Sequence, residues 1–246
     1  DYKRLFGDDV LVFSIDEVSK YTDQMDNFTS KNSVLWKRNA CWDLAKQVGY
    51  KYFIQLDDDY HSWNYRRFGK GHRLSDNAAN LLEYHSWKTN NLDAIFSALV
   101  RVIETTPIKT IALSQGGDHF GIGQRKKRFK RKAMNSFVCD SEKPFLFRGR
   151  LNEDVNTYIS LGKTGNLFFT DMEIYLTQTN TQLSSGGMTD AYMESGTFTK
   201  SFYTIITAPS CTKIFLMGIK NKRLHHRITW KNAVPLIMSE QVKKNY

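Results

Sequence analysis

The sequence predicts an α/β domain. A strand–helix–strand unit occupies residues 10–56, a second helix leads into a strand over residues 91–114, and the elements keep alternating to residue 217. Residues 10–15 (VLVFSI) form a short β-rich run that reads as a strand, and residues 16–21 read as a helical turn. Ala40, Cys41, Leu44, Ala45 and Val48 recur at helical spacing, so residues 38–48 read as a helix, with Gly49 as its stop. Residues 52–56 (YFIQL) read as a buried strand that ends in Asp57, Asp58 and Asp59. Leu92, Ile95, Phe96, Leu99, Val102 and Ile103 mark a helix over residues 91–105, with Pro107 beyond its end and a strand at residues 110–114. Gly116, Gly117, Gly121 and Gly123 make a flexible connection. Residues 145–147 read as β-like, and residues 153–161 as a helix stopped by Gly162. Residues 167–170 and 173–177 read as two strands, 178–187 as a loop, and 201–207 and 213–217 as further β structure. No internal repeat interrupts this order, so residues 1–246 read as one domain.

The bulk composition suits that reading. The chain has 246 residues, 41% of them hydrophobic and 24% charged, enough for a sizeable core and not a disordered chain. The net charge is +10 and the pI is near 9.4. Seven of the eight residues from Arg125 to Lys132 are basic, and without them the excess falls to +3. Cys41, Cys139 and Cys211 are isolated, with no disulfide or metal spacing, which suits a reducing compartment. The expected compartment is the cytoplasm (of a host cell, for a viral protein), or the nucleus in a eukaryote. No apolar run reaches the roughly 20 residues that span a bilayer. The chain begins at Asp1 without Met or a signal-like stretch, which reads as the interior of a longer product or as a chain with residues omitted.

The chemistry concentrates in two acidic clusters. Asp57 and Asp59 are two residues apart at the end of a strand, so in extended chain they face the same side and can address one cation. Mg²⁺ and Mn²⁺ take oxygen ligands and bridge to substrate phosphates, so this D-x-D pattern fits a site for a diphosphate leaving group. A solvated acidic turn is the bland alternative. The second cluster lies in RGRLNEDVNTY, residues 148–158. Asn152 can cap the following helix while Glu153 and Asp154 favour its positive end. The same carboxylates can act as a general base toward a hydroxyl. Arg148 and Arg150 can pair with these acids or with phosphate.

Two further patterns are less specific. His225 and His226 point different ways in extended chain, so at most one faces a site; metal ligation, phosphate contact and core packing all fit. The basic run Arg125, Lys126, Lys127, Arg128, Lys130, Arg131 and Lys132 suits phosphate binding without sequence readout, a solvated loop or a nuclear-localisation patch. Phe129 lies within it and Phe120 and Phe137 on either side, and all three are candidates for stacking on an unstacked base.

Taken in order, these stretches resemble the TET/JBP-associated glycosyltransferases, a GT-A-like group. The resemblance rests on KRNACWDLAKQVGYKYFIQLDDDY (37–60), ALSQGGDHFGIG (112–123), RKAMNSF (131–137), FRGRLNEDVNTY (147–158), SSGGMTDAYMESGTFTKSF (184–202) and RLHHRITWKNAVPLI (223–237). It implies a Rossmann-like GT-A domain with a mixed central sheet. It also implies that Asp57 and Asp59 hold Mn²⁺ or Mg²⁺ with the diphosphate of a UDP-sugar. Asp154 would be the base, with Glu153 its competitor, and His225 or His226 would lie near the metal. Asp58, Gln115, Gly116, Gly117, Asn152 and Asn135 would line the donor or acceptor pocket, and Arg131 and Lys132 would lie near substrate. The implied acceptor is DNA carrying a hydroxymethylated pyrimidine, as in DNA viruses such as bacteriophages, with no membrane partner. GT-A folds begin with a strand that helps hold the nucleotide base, and the nine residues before VLVFSI are too short for that strand and its helix. The first strand–helix unit is therefore expected to be lacking. A protein or glycan acceptor, an inactive DNA-binding module and a metal-dependent nuclease are the competing functions. The sequence leaves the sugar, the cytosine or uracil origin of the base, the stereochemistry and the oligomeric state open.

Overall fold

The structure is a computed structural model that describes residues 2–68, 84–115, 118, 129–134, 136–178, 189–218, 222–233 and 240. Six strands form the central sheet: β1 (Tyr52–Gln55), β2 (Tyr60–Phe68), β3 (Tyr84–Lys88), β4 (Ile108–Gln115), β5 (Phe137–Asp140) and β6 (Leu167–Gln178). Their spatial order is β1-β5-β4-β6-β2-β3. β4 and β6 run parallel and every other neighbouring pair is antiparallel, so the sheet is mixed, as the sequence predicts.

Period-two alternation builds a core on each face of this sheet. Ala112, Phe137, Cys139 and Phe168 join Leu35, Trp36, Ala40 and Trp42 of helix α3 (Val34–Gln47) and Tyr158 of α5 (Glu153–Lys163) on one side. Ile111, Leu113, Val138, Ile174 and Leu176 meet Ile95, Leu99 and Ile103 of α4 (Leu92–Thr105) on the other. Ser33 and Asn91 cap α3 and α4 by accepting the amide hydrogens of Leu35 and Ala94. A two-stranded ribbon, β7 (Thr212–Met217) and β8 (Arg223–Ile228), packs beside helix α6 (Thr189–Thr207).

Several expected elements differ. After the short first helix α1 (Tyr2–Phe6), residues 10–14 are not a strand, and the short helix α2 (Ile15–Ser19) follows them, with Ser14 accepting the amide of Glu17. Leu11 and Val12 are exposed, so the apolar run has no partner strand to bury it. Leu56, expected in a buried strand, is exposed because β1 is an edge strand that ends at Gln55. Residues 145–147 are extended but unpaired in the sheet; the Asn39 side chain takes the place of a neighbouring strand, accepting from the Phe147 amide at 2.8 Å and donating to its carbonyl at 3.0 Å. Residues 167–177 form one strand, kinked where Asp171 accepts the amides of Glu173 and Ile174. Residues 201–207 are helical: Ser201, Thr204 and Ala208 point inward at helical spacing while Phe202 and Ile206 face out. Gly162 lies inside α5, where α7 (Trp230–Ala233) leaves no room for a side chain; the helix ends at Lys163, and Gly165, just beyond it, adopts φ +87°.

Candidate active site

The pairing directions fix where the site lies. β1 and β4 are each antiparallel to β5, so they run the same way and finish at one edge of the sheet. Asp57–Asp59 follow β1, and Gln115 ends β4. Tyr60 opens β2 opposite Gln178 at the end of β6, and the Gln115 amide donates to the Tyr60 hydroxyl at 3.1 Å. In open α/β sheets this edge is where ligands bind. Asp57 and Asp59 are partly buried and Asp58 is exposed, so the first and third carboxylates turn inward together. Asp59 Oδ1 is buried without a hydrogen-bond partner.

The second cluster meets the first through Arg38. This arginine occupies the buried stripe of α3 with only 3% of its surface exposed. Its Nη2 lies 3.2 Å from Asp57 Oδ1 and its Nε 3.0 Å from Glu153 Oε1. Its guanidinium also lies over the rings of Phe137 and Phe147, so its plane is fixed between apolar faces while its edge serves both acids. Burial opposes its charge, but Glu153, Asp57 and Asp154 hold it protonated. Burial raises the Asp57 proton affinity, Asp59, Asp154 and Asp58 add to the rise, and Arg38 opposes it. Burial, and then Asp154, push Glu153 up to about 7 against the pull of Arg38. The remote acidic clusters therefore share one electrostatic neighbourhood.

Asn152 sets the geometry of the second cluster. It sits in the left-handed region at φ 55° and ψ 37°, which Asn tolerates better than most residues. It precedes α5 without capping it by its side chain, contrary to the expected role. Its amide donates instead to the Lys200 carbonyl at 2.8 Å and to Thr204 Oγ1 at 3.0 Å, and lies 3.4 Å from His226 Nδ1. Asp154 Oδ1 accepts the Val155 amide at 2.7 Å, at the positive end of the helix. Lys200 is thereby brought into the field of Asp154 and Glu153; burial lowers its proton affinity and those carboxylates oppose the fall.

The histidines lie on that second flank. Burial, then His225, Lys200 and Lys132, lower His226 to about 3. Burial also lowers His225, whose Nδ1–H donates to the His226 carbonyl at 2.7 Å. Among the described residues no group of three or more His, Cys, Asp or Glu side chains is disposed to hold a metal ion, so the histidines are not gathered with Asp57 and Asp59 into a ready-made metal cage.

The basic run divides. Arg125, Lys126, Lys127 and Arg128 lie outside the described residues, as do Gly116, Gly117, Phe120 and Asn135. Lys130 is exposed and Lys132 half-buried. Arg131 is 6% exposed and pairs with Asp118, whose other oxygen accepts the Gln115 amide; its charge holds the end of β4 and is not presented to solvent. Phe137 is a core residue, closed to base stacking, whereas Phe129 is 40% exposed. Arg148 pairs with Asp23 and Arg150 with Asp26, so neither engages Glu153 or Asp154.

Comparison with protein families finds that residues 1–187 match the model described as TET-Associated Glycosyltransferase. The chain belongs to the TET-associated glycosyltransferases. Comparison with curated proteins and with solved structures finds no match. As a glycosyltransferase of this family, the protein has both acidic clusters inside the matched residues. Lys200, His225 and His226 lie beyond residue 187, and Lys200 and His226 still reach the second cluster through Asn152. No helix among the described residues is long and apolar enough to cross a membrane. Sequence reasoning missed Arg38, Tyr60 and Lys200. A visible signal existed for Arg38: it is a charged residue among Leu35, Trp36, Asn39, Ala40 and Trp42, which line the buried side of α3, and charge in such a stripe needs a partner.

Proposed function

We propose that this glycosyltransferase moves a sugar from a UDP-sugar to the hydroxyl of a 5-hydroxymethylpyrimidine in DNA. The observation that carries the proposal is the Arg38 bridge, which joins Asp57, one of the two carboxylates suited to a cation and diphosphate, to Glu153, the chain neighbour of the candidate base Asp154. Asp57 and Asp59 would hold a divalent cation. The inward turn of both carboxylates and the unpartnered Asp59 Oδ1 fit this role, and Mg²⁺ needs only one or two protein carboxylates when phosphates complete its shell. Bound there, the cation would supply Lewis-acid neutralisation of the diphosphate.

Asp154 fits the base better than Glu153 does. Glu153 is 7% exposed and tied to Arg38, whereas Asp154 is only half-buried at the helix start. Asp154 accepts the proton of the acceptor hydroxyl as the new bond from that oxygen to the anomeric carbon forms. The bond from that carbon to the diphosphate oxygen breaks, and UDP departs. Arg38 opposes the burial that raises the proton affinities of Asp57 and Glu153, and its contacts with both tie the two acidic clusters together. Gln115 and Tyr60, hydrogen-bonded to each other, lie beside the Asp57 and Asp59 cluster.

Mass spectrometry of DNA after incubation with a panel of UDP-sugars and Mn²⁺ tests the proposal. Duplexes bearing hydroxymethylcytosine or hydroxymethyluracil should gain the mass of one sugar per modified base, while unmodified DNA should not. Sugar on protein or glycan acceptors and none on hydroxymethylated DNA would overturn the acceptor. DNA cleavage without any sugar nucleotide would point to a nuclease.

A further inference from the structure

β7 and β8 pair in register from Thr212↔Ile228 to Met217↔Arg223. Side chains alternate across a strand, so Arg223, His225 and Arg227 share one face of the ribbon with Phe215 and Lys213. The other face carries His226 toward Asn152 and Ile228 into the small core with Val155, Ile159 and Cys211. The first face is therefore turned away from α5, and its Lys213, Arg223 and Arg227 are all exposed. Arg227 lies 4.2 Å over the Phe215 ring, and Phe215 meets His225 edge-on at 5.9 Å. Residues 212–233 contain no Asp or Glu, so nothing within the ribbon neutralises these cations.

The positive field continues toward the second acidic cluster. Lys200, Arg223 and Lys132 bear on His225, and Lys200 lies in the field of Asp154 and Glu153. The donor-side carboxylates Asp57 and Asp59 lie on the other flank, joined to Glu153 through Arg38. The cationic ribbon thus stands on the acceptor side of the base. Arg223 and Arg227 are four residues apart on one face, about 13 Å at the ordinary strand rise. That separation is too long for the two phosphates of one diphosphate and suits alternate phosphates, two nucleotide steps apart, of an extended strand. The Phe215 and His225 rings between them offer stacking surfaces for an unstacked base.

We propose that the β7–β8 ribbon, with Lys200 and Lys132 behind it, holds the phosphodiester backbone of the acceptor strand beside the base being modified. This rests on the reading of the protein as a DNA-directed transferase and assigns the acceptor strand, Lys132 apart, to residues beyond the family match.

The test uses the full chain carrying Lys213→Gln, Arg223→Gln and Arg227→Gln together, and separately Lys200→Met. A fluorescent oligonucleotide containing 5-hydroxymethylcytosine, single- or double-stranded, is titrated by anisotropy between 50 and 300 mM salt. Three lost phosphate contacts should reduce the slope of log affinity against log salt by about 2 to 3, with affinity at 100 mM salt down at least tenfold. UDP binding by calorimetry should match the wild type and shows that the variant is folded. Lys200→Met should raise the KM for DNA more than the KM for the sugar donor. A triple variant with the wild-type slope and affinity would overturn the ribbon assignment. A wild type that binds DNA with the full slope yet transfers no sugar to it would overturn the transferase reading instead, leaving the ribbon as a nucleic-acid surface.

Discussion

Replacing Arg38 by Met would leave Glu153 and Asp57 facing each other across the space that its guanidinium fills. The side chain of Glu153 is 10% exposed and that of Asp57 is 29% exposed, so the stranded charge falls mainly on Glu153. Breaking a buried ion pair from one side costs about 3–5 kcal/mol. Water reaches Asp57, so the lower end, about 3 kcal/mol, is expected. For a chain of this length that corresponds to a fall in Tm of roughly 6–12 °C. Urea unfolding at pH 7.5 followed by tryptophan fluorescence reads the loss directly. The double variant Arg38→Met with Glu153→Gln should recover a large part of it, because the uncompensated carboxylate is then gone. Arg38→Lys should fall between, since one ammonium cannot serve both acids with the planar geometry of a guanidinium. A single variant within about 0.5 kcal/mol of wild type, the usual range of a surface substitution, would refute the reasoning. So would a double variant no more stable than Arg38→Met alone.

Other perturbations probe separate parts of the structure. Glu153 binds its proton more tightly when folded than when unfolded, so its contribution to stability is full below the ordinary carboxylate range and is lost as pH rises toward about 7; chemical denaturation from pH 5 to 8 should show that loss in wild type and a flatter profile in Glu153→Gln. Gly162→Ala would set a methyl 2.8 Å from the Ala233 carbonyl, so a destabilisation of about 1–3 kcal/mol is expected, and a stabilised variant in thermal melts would contradict the packing of α7 on α5. Asn152→Gly keeps the left-handed backbone and removes the ties to Lys200 and Thr204, whereas Asn152→Ala loses both; the alanine variant should be the less stable, by about 1 kcal/mol, and both should lose transfer rate.

The sheet was legible where one residue pattern decided the structure. The α4–β4 unit follows from the Ile95, Leu99, Ile103 stripe and the Asn91 cap, and its bounds match closely. Local propensity misled where tertiary contacts decided. VLVFSI has strand chemistry but no neighbouring strand, and Phe202 to Thr207 is rich in β-formers yet helical because Ser201, Thr204 and Ala208 bury one face. The two acidic clusters were visible as clusters, and the inward turn of Asp57 and Asp59 followed from their spacing. Their connection was not visible, because Arg38 lies 19 residues from Asp57 and 115 from Glu153 and only the packing of α3 beneath the sheet edge brings them together. The role of Asn152 was hidden for a similar reason: a local cap and a long-range tie to α6 look alike in sequence.

Donor-binding calorimetry combined with transfer assays on Asp57→Ala and Asp154→Asn tests most directly whether the clusters divide the chemistry. Asp57→Ala should lose metal-dependent UDP-sugar binding and, with it, transfer. Asp154→Asn should bind UDP-sugar as wild type does while transfer to hydroxymethylated DNA falls by a factor of about 10² to 10⁴. Wild-type transfer by Asp154→Asn, or undiminished donor binding by Asp57→Ala, would contradict that division.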